Sequence, residues 1–416
     1  MLFDPDRHTT LNSIAWDENV VRQTITHIVQ RTESEFVPAS HWPKHPMDMN
    51  GVGDNLEPMT PLYMGSCGVI WALHYLQDAG AVRLERSYRN LLDEALLRNR
   101  AWLASEEMET SGAYLMGDVP FLMMALGADP VDTAHNIGLV DQLEGLIIGN
   151  LDNPTRELMW GSPGTLLAAL FLHQRCGGTR WAELFRTTAR KLWTQLLWSP
   201  EQQCYYWSQD MYGAHTSYLD GVHGFVATAV PLIAGRGLLT GEEWAAWEQC
   251  ITNTITRSVT REDDKVNWRV MLLETEGSKR RYLMQFCHGA PGFVICLGSM
   301  PGTALDELLL AAGETVWAAG PLTKGSNLCH GTGGNGYTFL KLYERTQDAT
   351  WLHRARAFAM HGIGQVNESA AQYGQLRHSL WTGDIGFAIY LWDCLRGQSA
   401  FPTLDVFYAD LSDLPK

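Results

Sequence analysis

Positive charge is in short supply in this chain. Across 416 residues Lys and Arg number 31 against 46 Asp and Glu, a formal net charge of −15. That balance excludes the broad basic surface that condenses on nucleic-acid phosphates or anionic lipid. Long apolar runs are missing too: stretches such as TLLAALFL (165–172) fall far short of the roughly 20 residues that cross a bilayer. The opening MLFDPDRHTT carries acids where a secretory signal has a basic segment followed by an apolar one, so neither export nor membrane insertion is expected and the expected location is cytoplasmic. Charged residues make up only 19% and hydrophobic ones 45%, which excludes intrinsic disorder and supplies a large core. The eight cysteines (67, 176, 204, 250, 287, 296, 329 and 394) are scattered through a chain whose core needs no staples, and they read as reduced thiols. Extended alternating segments are scarce. CYYWSQDM (204–211) and KVNWRVML (265–272) have the pattern of a short strand pair, and their positions assign them to loop decoration.

Glycine, by contrast, is abundant at 39 residues, and the excess sits at regular places. A GxxG element precedes an apolar helical run at GSCGVIWALHYL (65–76), GSPGTLLAALFL (161–172), GVHGFVATAVPLI (221–233), GAPGFVICLG (289–298), GTGGNGYTFLKLY (331–343) and GDIGFAIYLWDCL (383–395). GDVPFLMMAL (117–126) is a degenerate seventh copy with Pro120 in place of the second glycine. Between these starts lie amphipathic segments such as 87–105 and 180–198, whose apolar residues recur at i, i+3 and i+4. The runs after each GxxG are apolar on nearly every face, as an enclosed helix requires. Seven alternations of outer and inner helix predict an all-α single domain, an α/α toroid with seven inner and seven outer helices. The barrel is assigned to 60–416, with 1–59 as an irregular and helical segment packed on it. HWPKHPMDMN (41–50) reads as an irregular loop near the rim. One GxxG by itself means only a tight turn or close helix approach. Seven inner-helix N-termini at one rim also aim unpaired N–H groups and positive dipole ends at a central cavity, which favours anions or thiolates there.

Two repeats carry more than glycine. Cys287-His288 and Cys329-His330 each stand immediately before an inner helix. A lone cysteine or histidine is more often a satisfied core residue. Two pairs in register would bring four donors to one rim, and Cys with His is the set that selects zinc. Three ligands with an open fourth position make a catalytic site, and four make a structural one.

These residues resemble the LanC-like family, the lanthionine synthetase cyclases and their stand-alone relatives. FCHGAPG (286–292), NLCHGTGGN (327–335) and VHG (222–224) resemble its three signature motifs, and LYMGSCG (62–68), YLMGDV (114–119), ELMWGSPG (157–164) and SLWTGDIG (379–386) resemble the equivalent elements of other repeats. The likeness runs over about residues 60–395. It implies one zinc ion per chain held by Cys287, Cys329 and His330, with His288 outside the metal shell and the fourth position left for a substrate sulfur. Zinc coordination removes the thiol proton. The resemblance then implies attack of the thiolate on the β-carbon of a dehydroalanine or dehydrobutyrine, with His223 as the general acid that protonates the α-carbon or stabilises the enolate.

Glu157 in ELMWG, where the peptide cyclases have aspartate, and Lys324 five residues before the second zinc cysteine both resemble the stand-alone branch. Glu157 is the candidate to orient His223 or shuttle protons, or else an N-terminal dipole partner. Lys324 is the candidate to bind the carboxylate of glutathione, or else a solvated loop lysine. The peptide cyclases have an arginine where this chain has Leu283, and Arg280 and Arg281 are out of register, so neither joins the site. Asn335 and Asp118 match family positions and are expected to cap helices.

The leading expectation is therefore a zinc enzyme that joins a thiol to a dehydroamino acid residue of a protein or peptide, forming a thioether, with glutathione as the thiol. Lanthionine ring closure in a ribosomal peptide is the alternative within the family. A carbohydrate-processing α/α barrel, suggested by 16 Trp and 10% aromatic residues, gives no reason for two Cys-His pairs. A glutathione- or peptide-binding protein without turnover would use the same ligands.

Overall fold

Each Gly-rich start opens a helix. The computed structural model describes residues 2–11, 13–49, 57–108, 112–126, 134–273 and 282–409. In chain order the α-helices among these residues are α1 (Glu18–Ser34), α2 (Ser66–Asp78), α3 (Leu92–Ser105), α4 (Val119–Ala125), α5 (Ala134–Gly149), α6 (Ser162–Cys176), α7 (Thr179–Thr194), α8 (Phe225–Ala234), α9 (Gly241–Ser258), α10 (Ala290–Leu297), α11 (Asp306–Ala319), α12 (Thr332–Thr346), α13 (Ala349–Tyr373) and α14 (Asp384–Arg396). The even-numbered helices form the inner ring: each touches the next, and α14 touches α2 to close it. The odd-numbered helices pack outside. Among them α1, from the segment before residue 60, lies against α14 and α13 and completes the outer ring. None of these helices is long and apolar enough to cross a membrane.

Burial follows the sequence pattern. Ser66–Leu76 of α2 and Ser162–Leu172 of α6 are buried throughout, while α7 buries one stripe, including Trp181, Leu184, Phe185 and Leu192. Three outer helices begin with side-chain caps: Asp17 before α1, the Thr240–Glu243 capping box of α9 and Asp348 before α13. Inner helices begin at bare glycines instead: Gly65, Gly161, Gly224, Gly289, Gly331 and Gly383. Gly289 has φ +108°, which L side chains rarely adopt. The second glycine of the element answers a different need. A Cβ on Gly334 would stand 1.9 Å from the carbonyl oxygen of Leu328, and one on Gly68 2.2 Å from that of Leu62. Only a missing side chain lets the chain fold back this closely before entering the helix. In the degenerate copy Pro120 fits because it lies in the first turn of α4, where no N–H is needed.

One register differs from the sequence reading. The glycine that opens α8 is Gly224, so the fourth inner start is three residues later than the GVHG pattern (221–224) suggests. The strand-like segments also behave differently. They do not pair as strands with each other, and 204–211 supplies strands to two hairpins: β1 (Leu197–Ser199) pairs with β2 (Cys204–Tyr206), β3 (Gln209–Met211) with β4 (Ala214–Thr216), and β5 (Val259–Glu262) with β6 (Lys265–Trp268), all antiparallel. The 41–49 stretch is pinned down, since Trp42 is buried with Nε1 donating to the Thr32 carbonyl and Asp48 pairs with Arg377. All eight cysteines are unpaired, as expected.

The barrel interior is filled by the chain's own end. Phe401 stacks on Phe286 at 4.5 Å, Tyr114 Oη donates to the Thr403 carbonyl, and Trp71 Nε1 donates to the Phe407 carbonyl. Lys341, 3% exposed, is paired with Asp405 at 2.9 Å. The 401–407 segment thereby ties four inner helices or their entry turns together from inside. Gly334→Ala should destabilise the protein by about 2 kcal/mol or more, because a backbone carbonyl has to give way. Gly241→Ala, whose Cβ meets nothing within 4 Å, should stay within about 0.5 kcal/mol in the same denaturant titration.

Candidate metal centre

At the glycine rim the backbone strands of successive repeats bond to one another. Tyr63 N donates to Leu115 O, Leu115 N to Met159 O, Leu158 N to Val222 O, Cys287 N to Cys329 O, Cys329 N to Trp381 O, and Trp381 N back to Tyr63 O, at 2.8–3.3 Å. Residues two or three before each rim glycine thus follow one another in a ring around the axis, bonded at every step but the one from Val222 to Cys287. Cys287 and Cys329 are neighbours in that ring, joined at 3.1 Å. Their thiols and the imidazole of His330 bring three ligand atoms within 4.8 Å of one another. Cys329 is 2% exposed and Cys287 8%. A shared hydrogen bond with Cys329, together with burial, pushes the Cys287 thiol well above its ordinary value. Tyr63 Oη donates to Cys329 Sγ at 2.8 Å and Gln285 Nε2 to Cys287 Sγ at 2.9 Å. Burial, then the two sulfurs, raise the Tyr63 hydroxyl far above its usual range, which keeps it a donor.

Two histidine–carboxylate pairs border this trio. His223 Nδ1 lies 2.9 Å from Glu157 Oε2, and His288 Nδ1 lies 2.8 Å from Asp220 Oδ2. The carboxylates are 0% and 1% exposed, whereas the imidazoles are 22% and 21% exposed, so the acids stand behind and the rings face the opening. Glu157 also accepts Met159 N at 2.8 Å and Trp160 N at 2.5 Å. Asp220 Oδ1 accepts Val222 N at 3.0 Å and His223 N at 2.7 Å. Burial alone would lower His223, but the Glu157 hydrogen bond and charge, followed by Asp220 and Cys287, raise it to about 9. Burial likewise opposes and Asp220 outweighs it at His288, whose pKa is raised. Burial would raise the Asp220 carboxyl, and His288 with His223 holds it below its usual value. Tyr218 stands beside both rings, 5.8 Å from His223 and 6.0 Å from His288.

Ligand trio, paired histidines and closed helical ring together resemble one set of known proteins. The model of the lanthionine synthetase C-like proteins matches residues 59–406. The chain belongs to that family. It is 37% identical over 135 residues to glutathione S-transferase LANCL1 of Danio rerio, an alignment covering 31% of this chain and 33% of that protein. With LanC-like protein GCL1 of Arabidopsis thaliana it shares 36% identity over 143 residues, 32% of each. The alignments thus span about a third of the length of these stand-alone relatives. Nisin cyclase superposes with a TM-score of 0.58 over 92% of this chain and 96% of its own, at 15% identity. That likeness concerns the α/α toroid alone.

In this LanC-like chain the structure brings together Cys287, Cys329, His330, His223 and Glu157. Lys324 stands apart from them, exposed, on the wall of a pocket of about 450 Å³ that it shares with Ser326, Asn327, Gln365 and Asp384. The pocket borders the trio through Asn327, whose Oδ1 accepts His330 N at 3.0 Å. Leu283 is buried, and Arg280 and Arg281 lie outside the described residues. Asn335 and Asp118 do not cap by side chain: Asn335 Nδ2 donates to the Met284 carbonyl at 2.9 Å, holding the strand that leads to Cys287, and Asp118 accepts Arg100 Nε at 2.7 Å. Sequence reasoning missed Asp220. With Gly224 as the true helix start, Asp220 falls four residues before it, the offset that Glu157 has from Gly161. Reading the repeat from Gly221 hid that match.

Because its folded pKa lies above the ordinary 6.5, protonated His223 stabilises the fold fully below about pH 6.5. That contribution is lost as pH rises through about 9. Glu157→Gln should lower the His223 pKa from about 9 toward or below 6.5, read by NMR titration of its ring carbons. Persistence near 9 would show that Glu157 does not control the ring.

Proposed function

We propose that this protein is a zinc enzyme that adds the thiol of glutathione to dehydroalanine or dehydrobutyrine residues of proteins or peptides, forming a thioether. The convergence of Cys287, Cys329 and His330 beside the His223–Glu157 pair carries this reading. The glutathione S-transferase name of the Danio rerio relative and the Glu157 and Lys324 positions support the choice of thiol. The residues present fit zinc: two thiols and one imidazole lie within reach of one ion, and His288 is not part of that group of ligand atoms within 4.8 Å of one another. Three protein ligands leave a position open.

Zinc held there supplies the deprotonation of an incoming thiol at neutral pH. The chain's own groups do the rest. Nδ1 of His223 is engaged by Glu157, which leaves Nε2 as the nitrogen that can deliver a proton. As the sulfur–carbon bond forms at the β-carbon, the π electron pair moves to the α-carbon and its carbonyl, and His223 protonates the α-carbon. The thiol gives up one proton and the adduct gains one, so the net reaction adds RS–H across the double bond. A His223 pKa of about 9 keeps the acid charged at neutral pH, and Glu157 offsets that charge while it waits. Lys324, exposed on the wall of the adjoining pocket, would hold a glutathione carboxylate.

Purified protein should contain one zinc per chain, lost in Cys287→Ala and Cys329→Ala and kept in His288→Ala. With glutathione and a dehydroalanine peptide it should yield an adduct of the summed mass. His223→Gln should keep zinc and lose roughly 10²- to 10⁴-fold in kcat. Lys324→Met should raise KM for glutathione roughly tenfold with kcat little changed, the loss of one charge-assisted contact. Zinc without an adduct would overturn glutathione transfer in favour of peptide ring closure or binding, and absence of zinc would overturn the whole reading.

A further inference from the structure

Each of the two cysteines in the ligand trio has its own neutral hydrogen-bond donor, and both donors occupy repeat positions that elsewhere carry different chemistry. Tyr63 stands two residues before Gly65, the position that Cys287 and Cys329 occupy before Gly289 and Gly331, and its hydroxyl donates to Cys329 Sγ at 2.8 Å. Gln285 stands four residues before Gly289, the position of Glu157 and Asp220 in the two preceding repeats. There an amide replaces a carboxylate. The substitution matters because the residue faces a sulfur and not a histidine: its Nε2 donates to Cys287 Sγ at 2.9 Å, where a carboxylate would set negative charge against the sulfur.

An amide can present either end to its neighbour, and here a third residue decides. Arg7 Nη2 donates to Gln285 Oε1 at 2.7 Å, so the oxygen is turned to the arginine and the NH₂ group to the sulfur. Gln285 is buried, 5% exposed. Arg7 is held by its own backbone: Thr323 N donates to Arg7 O at 3.0 Å, Thr9 N to Pro321 O at 2.9 Å, and His8 Nδ1 lies 2.9 Å from Gly320 O. Asn267 Nδ2 donates to Leu2 O at 2.7 Å. Residues 7–9 are thereby laced to the loop that leads to Cys329, and Leu2 to β6.

We propose that Tyr63 and Gln285 are positioning residues that draw charge from the two cysteine ligands, and that Arg7 enforces the Gln285 orientation that makes this possible. This inference rests on the zinc reading above. A hydrogen bond to a thiolate lowers the charge it gives a metal, so the metal remains a stronger Lewis acid toward a fourth ligand.

The test uses the full-length protein loaded with Co²⁺, whose sulfur-to-metal charge-transfer band reports thiolate charge directly, together with Zn²⁺ affinity by chelator competition. Tyr63→Phe and Gln285→Met should each shift the band to longer wavelength and weaken Zn²⁺ binding roughly 10- to 100-fold at neutral pH. Arg7→Ala should shift the band in the same direction as Gln285→Met and add nothing to it in the double variant, since both act through one hydrogen bond. A purely structural Arg7 would give additive losses and an unmoved band. Should Gln285→Met fail to fold, Arg7→Ala and Tyr63→Phe supply the same readout. Unshifted bands with affinities within about threefold of wild type would overturn the inference and leave the zinc reading intact. A wild type that binds neither metal would overturn both.

Discussion

The structure depends on the ring of backbone hydrogen bonds that joins successive repeats at the glycine rim. At six of its seven steps a residue of one entry turn donates to the next, and Trp381 returns the chain of bonds to Tyr63. That ring fixes which side chains become neighbours. Cys287 and Cys329 are 42 positions apart in sequence, yet one backbone bond makes them adjacent. The second glycines of the repeats serve it, because only a chain without a Cβ at Gly334 or Gly68 can fold back under its own carbonyl. The C-terminal segment supports the ring from within, Phe401 against Phe286 directly before Cys287.

Chemistry appears where the ring departs from its regular form. Met159 N turns from the ring to Glu157, and Leu158 N takes its place on Val222 O. Val222 N turns to Asp220, and the step from that repeat to the next is left without its bond. These are the two carboxylates that pair with His223 and His288 of the following repeats. The offset then continues with Gln285 and Asn327, amides where the neighbouring groups are metal-type ligands. Negative charge is thus built behind the imidazoles and withheld from the thiols. Burial penalises each lone charge, and the arrangement answers by giving both Glu157 and Asp220 two backbone N–H donors and a histidine.

Much of this was legible in the sequence because the glycine constraint is steric and recurs seven times. The alternation of amphipathic and wholly apolar helices, the toroid and the register of the two Cys-His pairs follow from it, while the choice of Cys287, Cys329 and His330 among those four donors comes from the family resemblance. Gly221 obscured the fourth repeat: a glycine three residues before Gly224, required where a Cβ would stand 2.8 Å from the Phe286 carbonyl oxygen, produced a plausible GxxG and shifted the register, so Asp220 lost its likeness to Glu157. The donors Tyr63 and Gln285 carried no local signal, since tyrosine and glutamine are ordinary residues until the ring sets them against sulfur. Arg7 and the 401–407 segment were invisible for a different reason. Their partners lie hundreds of residues away, and no periodicity records a single long-range bond.

The central claim is that the ring assembles a three-ligand zinc site open to a thiol. X-ray absorption at the zinc edge, with and without glutathione, tests it most directly. The account predicts two sulfur ligands at about 2.3 Å and one imidazole with a light fourth atom, then a third sulfur when glutathione is added. A shell of two sulfurs and two imidazoles, unchanged by glutathione, would contradict it by making His288 a ligand and the site structural.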